Sequence, residues 1–287
     1  MLTRYSSIPA LLIFVSLFKA EAQSPNDKSF RDRARVLVNQ QVMKAEKQRL
    51  DSVHYLSSDA PNEWLLEEAE TYAYTIDGLF SSWTYYGVYE DEGYLPEYRA
   101  ELTYNAKKEI EKLEGWYWAS ETKEWLLEDV DTYTYGNDGN LESITYTYYD
   151  FDDEEWVNDS RTTYKYDNSG MLEMENEHTW NETGNNWKQI GQTLYFYTDG
   201  KLSVKREFWD GEEEGFNEYI YNNSGQIEEI QLNTAVEDSN KTRLTGKIAI
   251  SYDTDGNPIK EETSYLVFGK WKTTNRFTHT YDAKYGV

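Results

Sequence analysis

The stretch Thr162–Glu175, TTYKYDNSGMLEME, decides how the chain reads. Tyr164 and Tyr166 are two residues apart, so on a strand they share one face, while Thr163 and Lys165 share the other. Asp167-Asn168-Ser169-Gly170 then supplies the small and polar residues of a tight turn, and Leu172 opens a second apolar segment. Near-copies of this stretch recur along the chain, which makes it a structural module rather than a site.

The recurrence has a period. Taking Tyr166 as the anchor, its equivalents are Tyr74, Tyr104, Tyr135, Tyr197, Tyr221, Tyr252 and Tyr281. They are 29 to 31 residues apart, except for 24 between Tyr197 and Tyr221. Glycine follows four positions later at Gly78, Gly139, Gly170, Gly225 and Gly256, and three positions later at Gly200. Ten positions before the anchor stands an aromatic residue: Trp64, Tyr94, Trp125, Trp156, Trp187 and Trp271. Self-similarity at a fixed period is the mark of a repeat architecture.

Inside each copy the apolar period is two, which identifies strands. In the seventh copy Leu244, Gly246, Ile248, Ile250 and Tyr252 are expected on one face, and Arg243, Thr245, Lys247, Ala249 and Ser251 on the other. In the fourth, Trp156 and Tyr166 are expected on the same face, with the aromatic anchors Tyr135, Tyr166, Tyr197 and Tyr252 buried. Turns such as GNDGN (136–140) and DTDGN (253–257) lead to return strands, and acidic turns such as DFDDEE and GEEEG close the opposite end. The fold class is all-β: a long antiparallel β-meander of about seven to eight ~31-residue hairpin repeats. Because open sheets of more than about 10 strands tend to curl, a curled or wrapped sheet is expected.

The pattern Tyr-x-Tyr-Asp-x-x-Gly-x-Leu, complete at Tyr164, Tyr166, Asp167, Gly170 and Leu172, resembles the YD repeats of Rhs-type and teneurin-like proteins. With its upstream tryptophans the chain looks still more like secreted tyrosine-rich repeat proteins of Bacteroidetes, over about residues 64–282. The resemblance implies a coiled β architecture. In Rhs proteins such a shell encloses a toxin, and no toxin domain is legible in this sequence. The resemblance implies no activity.

Three regions follow: 1–22 a signal peptide, 23–60 an N-terminal helix and linker acting as a cap, and 61–287 the tyrosine- and tryptophan-rich repeat array. Arg4, the apolar run Ile8–Phe18 and Ala20-Glu21-Ala22 have the layout of an export signal, with cleavage expected after Ala22 and Gln23 as the new terminus. Between residues 26 and 53, Phe30, Ala34, Leu37, Val38, Val42 and Ala45 recur at helical spacing, with Asp27 as N-cap. This segment is basic, +5 from Lys28 to Arg49, and suits an acidic array whose first edge it would cover.

Composition narrows the function classes. The net charge is −25, which repels nucleic acid and anionic lipid, and no transmembrane segment is expected once the signal is removed. There is no cysteine, so thiol catalysis, cysteine-ligated zinc and disulfides are excluded. The three histidines, His54, His178 and His279, share no ligand spacing. In DTDGN the glycine, Gly256, is fourth rather than sixth, which fits a hairpin turn and not an EF-hand. No residue is therefore assigned a catalytic, cofactor-binding or metal-binding role, and no cofactor is expected. Of the ten tryptophans, Trp64, Trp125, Trp156, Trp187 and Trp271 hold the repeat slot and are expected in the core, while Trp83, Trp116, Trp118, Trp180 and Trp209 lie on return strands. The expected function is a non-catalytic secreted, periplasmic or cell-surface scaffold that binds a protein or envelope partner. The alternative is a carbohydrate-binding module using exposed return-strand aromatics.

Overall fold

The computed structural model of the chain describes residues 52–60, 63–89, 93–236 and 241–279. The export signal, the expected helix and Tyr281 lie outside them. Every regular element described is a β-strand. Contacts divide the chain into two compact units that meet between Arg161 and Thr162. The first holds β1 (Ser52–Ala60), β2 (Glu63–Tyr74), β3 (Phe80–Tyr89), β4 (Gly93–Tyr104), β5 (Ile110–Ala119), β6 (Glu124–Tyr135), β7 (Leu141–Asp150) and the start of β8 (Glu155–Tyr166). The second holds the rest of β8, then β9 (Leu172–Asn181), β10 (Asn186–Thr198), β11 (Lys201–Trp209), β12 (Glu212–Tyr221), β13 (Ile227–Ala235), β14 (Thr242–Tyr252), β15 (Pro258–Val267) and β16 (Lys270–Thr278). Strand order follows the sequence from β1 to β16, an antiparallel meander that is not closed. Residues 52–60, within the stretch read as cap and linker, form the first strand of the array and pair with β2.

The turns after Tyr74, Tyr104, Tyr135, Tyr166, Tyr221 and Tyr252 share one backbone pattern, whereas Tyr197 leads into the two-residue turn Asp199-Gly200. In the fourth copy the Asp167 amide donates to the Met171 carbonyl (2.8 Å) and the Gly170 amide to the Asp167 carbonyl (3.0 Å). The Asp167 carboxylate accepts the amides of Ser169 (2.8 Å) and Met171 (3.0 Å). Asp253 repeats this with Asp255 and Asn257, and Asn105 and Asn222 do so with their side-chain oxygens. The aspartate of the Tyr-Asp pair is thus an Asx-type turn former, and the calcium-loop resemblance of DTDGN is a consequence of that role. The fourth turn position has positive φ throughout, near 85° at the glycines. Lys108 occupies it at 65°, so the turn forms there without glycine's freedom.

The anchor tyrosines, expected to be buried, are half-buried. Their hydroxyls supply the reason. Tyr104 donates to the carbonyl of Phe80, Tyr135 to Ile110, Tyr197 to Leu172, Tyr221 to Leu202 and Tyr252 to Ile227, at 2.5 to 3.0 Å. In each case the acceptor is at or next to the start of the preceding return strand. The ring covers the mouth of one hairpin and ties it to the next. Tyrosine meets this need where phenylalanine would not, because the bond requires a phenolic donor at the end of an apolar ring.

Register reveals a second repeating device that the spacing alone conceals. Each forward strand whose register is defined carries one unopposed residue seven positions before its anchor: Glu67, Glu97, Glu128, Ile190, Glu214, Thr245 and Thr274. Such a β-bulge inserts one residue and reverses which face the following side chains use. On β6, Gly115 of β5 pairs with Asp129 while Trp116 pairs with Leu127, so Asp129, Asp131, Tyr133 and Tyr135 lie on one face and Trp125 and Leu127 on the other. On β14, Leu244 likewise faces away from Gly246, Ile248, Ile250 and Tyr252. The tryptophan slot and the tyrosine anchor therefore occupy opposite faces in these copies, against the same-face reading from sequence.

The main core lies in the first unit, on the anchor face. Tyr72, Phe80, Trp83, Tyr85, Tyr98, Ala100, Leu102 and Leu113 form one buried cluster, with Trp83 fully buried at its centre. Trp83 stands between Tyr72 and Ala100 in the register. The second unit buries Tyr219 and Ile230, which pair with one another across β12 and β13.

Candidate functional site: the aromatic rows beside the acidic turns

Burial of the tryptophans does not follow the division into repeat-slot and return-strand residues: Trp209 on a return strand is exposed, and Trp116, Trp118, Trp125, Trp180 and Trp187 are half-buried. The return-strand residue Trp83 is core, whereas the repeat-slot residues Trp156 and Trp271 are 46% and 43% exposed. The correction follows from the bulge: it places the slot beyond the face reversal, at the acidic-turn end of each hairpin.

In the first unit Trp118 and Trp125 are register partners at the closing end of β5 and β6, packed edge to face at 5.3 Å. The Arg99 guanidinium lies 4.9 Å from the Trp125 ring centre and 5.5 Å from that of Trp116, a cation–π stack. One hairpin further on, Tyr149 packs against Phe151 (5.0 Å) and Trp156 (5.6 Å) beside the turn residues Asp152, Asp153 and Glu154. Phe151 is 46% exposed. The second unit repeats the arrangement with Trp180 edge-on to Trp187 at 5.0 Å, with exposed Trp209, and with Trp271 beneath the Lys247 ammonium at 5.2 Å. The turns after β5, β7, β9 and β11 are thus each clamped by a cross-strand aromatic pair or flanked by an exposed aromatic. Sequence reasoning missed Arg99, Tyr149 and Phe151 because nothing in the period marks them. Adjacent leucines before the bulge, as in Leu126-Leu127, break the alternation and were the available signal.

A second cluster is buried in the first unit. Asp131 is fully buried and Asp129 nearly so, and the space that a side chain at Gly115 would need is taken by the Asp129 carboxylate and the Tyr98 hydroxyl. Burial, then the neighbouring Asp129 charge, pushes the Glu128 carboxyl up to about 7. Burial, then Asp129 and Glu128, also raises Tyr98. Tyr72 donates its hydroxyl to the buried Glu70 carboxylate. Glu128 can therefore hold a proton near neutral pH, but as the bulge residue its first consequence is for stability. In the second unit burial raises Glu175, and burial, then Glu175, raises Tyr195.

This gives a signed pH dependence. A carboxyl raised in the folded state binds its proton more tightly there than in the unfolded chain, so folding gains stability as pH falls through about 7 toward the ordinary value of about 4.3. The turn aspartates act oppositely. The Ser169 hydroxyl and Met171 amide hold Asp167 below the usual range, as the Asn257 amides do for Asp253, so their contribution is lost under stronger acid. The urea midpoint is expected to rise from pH 8 to pH 5.5 and to fall below about pH 4. Glu128→Gln is expected to flatten the upper limb by keeping the site uncharged. A wild-type midpoint flat between pH 8 and pH 5.5, or an unchanged slope in the variant, contradicts the assignment.

The three histidines sit on β1, β9 and just after β16, with the His54 Nδ1 3.4 Å from the Tyr94 hydroxyl oxygen. Among the described residues no group of three or more histidine and acidic side chains is placed to hold a metal ion.

No protein-family profile and no curated protein matches the chain. Solved structures with likeness to it include a porin-like protein from Bacteroides uniformis, 12% identical, TM-score 0.43, covering 78% of this chain and 93% of that one. A protein of unknown function from Bacteroides fragilis is 16% identical with TM-score 0.36, covering 44% and 91%. A Photorhabdus luminescens Tc holotoxin pore is 11% identical with TM-score 0.33, covering 75% of this chain and 14% of that one. At these TM-scores no function carries across.

Proposed function

We propose that the protein is a non-catalytic, secreted or cell-surface repeat scaffold, built of YD-like hairpin repeats, that binds a protein or envelope partner through the acidic-turn end of its strands. One observation carries this reading: exposed aromatic side chains gather at that end, among acidic turns, in both units. Aromatic surface rimmed by charge is the usual composition of a contact surface. Among the described residues no helix is long and apolar enough to cross a membrane. The net charge of −25 favours partners other than nucleic acid.

Carbohydrate binding is the second reading, favoured by the exposure of Trp209 (48%) and Trp156 (46%). A glycan array separates the two. Saturable binding to one glycan class, lost in Trp156→Ala or Trp209→Ala with the melting curve unchanged, establishes the second reading. No glycan binding, together with capture of an envelope protein that Trp156→Ala abolishes, establishes the first.

A further inference from the structure

One turn at the acidic end is not acidic. The β15–β16 hairpin turns through Leu266-Val267-Phe268-Gly269-Lys270-Trp271-Lys272, with two cations and no anion. Phe268 is fully exposed, at a positive φ of 49°, and Tyr265, Leu266, Val267 and Trp271 are each exposed beside it. Lys270 and Lys272 are exposed and form no ion pair among the described residues. This apolar, basic tip stands on a chain of net charge −25.

The same chain carries a complement. The β7–β8 turn presents Asp152, Asp153, Glu154 and Glu155, all exposed, between the exposed rings of Phe151 and Trp156. The Asp150 carboxylate accepts the amides of Asp152 (2.9 Å) and Asp153 (3.2 Å) and so sets the shape of the turn. Among the turns at this end that are described throughout, the others fit less well: 120–124 contains Lys123, 181–186 has one acid, and Asp210 of the turn after Trp209 already faces Lys188 at 3.8 Å.

We infer that the β15–β16 tip of one molecule docks on the β7–β8 turn of a second copy, so that the protein self-associates head to tail. This goes beyond the proposed function and does not depend on it. Lys270 and Lys272 meet the four carboxylates while Phe268 and Trp271 meet Phe151 and Trp156. Contact between two different patches is heterologous, so it extends into open chains unless the rotation closes a ring. The patches are small, which makes the association weak and sensitive to salt. An anionic bilayer suits the tip less well, because the neighbouring acidic turns repel it.

Sedimentation velocity of the full chain across concentration, at low and high salt, tests this. Self-association that weakens with salt is expected. Lys270→Glu with Lys272→Glu should weaken it by about tenfold or more, as should Asp152→Lys with Asp153→Lys, the loss of about 1.4 kcal/mol or more. Mixing these two variants should restore association, because opposite charges again face each other. Phe268→Ser, at a fully exposed position, should weaken association without altering the circular dichroism melt. A monomer at every concentration, insensitivity to the lysine reversals, or failure of the mixed variants to associate overturns the inference. So does Phe268-dependent binding to phosphatidylserine–phosphatidylcholine vesicles by a protein that stays monomeric.

Discussion

Trp83→Ala is expected to cost about 3–5 kcal/mol, whereas Trp156→Ala is expected to cost less than about 1 kcal/mol. Trp83 is fully buried, lies 5.8 Å from the Tyr98 ring and 6.5 Å from that of Tyr85, and stands beside Tyr72 and Ala100 in the register. Truncation leaves a cavity walled by aromatic rings that are themselves fixed to strands, so the site cannot collapse around it. Ala100 is buried beside the indole, and it has no side chain that could swing into the space. At Trp156 nearly half the side-chain surface already meets water, and its packing with Tyr149 is one edge contact. Guanidinium melts of the two variants check the order. Equal losses, or a larger loss at Trp156, would place the core on the wrong face.

That order reverses what the spacing implied, and the cause is physical. The 31-residue period, the strands, the turn chemistry and the antiparallel meander were all legible, because local residue types specify them: Tyr164 and Tyr166 by alternation, Asp167 and Gly170 by turn geometry. The choice of face was not. Ten residues separate Trp125 from Tyr135, an even number that places both on one face of a regular strand. One unopposed residue between them, Glu128, moves Trp125 to the other. A bulge is a property of the pairing of two strands, so a single strand's pattern does not display it. The same limit applied to the contact surface. Phe151 became a candidate only when the structure placed it against Tyr149 and Tyr117. Arg99 did so when its guanidinium lay over two indoles. The tyrosine anchors were recognised as the organising residues, but their hydroxyl bonds to the preceding return strand needed the register to be seen.

Gly215→Ala is expected to cost about 3 kcal/mol, an unusual loss for a single added methyl group. Gly215 follows the unopposed residue Glu214 and pairs with Glu207 on β11 and Thr234 on β13. A Cβ there would overlap the Asn233 carbonyl oxygen and lie 3.2 Å from both the Asn233 carbonyl carbon and the Thr234 Cα. These are backbone atoms of the neighbouring strand, so the overlap is relieved only if β12 and β13 part or their register shifts. Gly191 holds the equivalent place in the preceding copy, but there the new atom would meet the Glu177 side chain, at 3.1 Å from its carboxylate oxygen. The carboxylate can rotate away and the Glu177 Cβ, at 3.2 Å, has to give only a few tenths of an ångström, so Gly191→Ala is expected to cost about 1 kcal/mol, in the ordinary range for a strained substitution. Comparing the two separates backbone overlap from any general penalty for alanine at a bulge. The β12–β13 pair also holds Tyr219 against Ile230, so separation should expose these two buried residues. Denaturant midpoints give the stability difference, and amide exchange over Gly215–Tyr221 and Ile227–Thr234 shows whether opening is confined to this pair. If both variants lose the same stability, or if exchange over these strands is unchanged in Gly215→Ala, the close approach at Gly215 is not what fixes the register of this shortened copy.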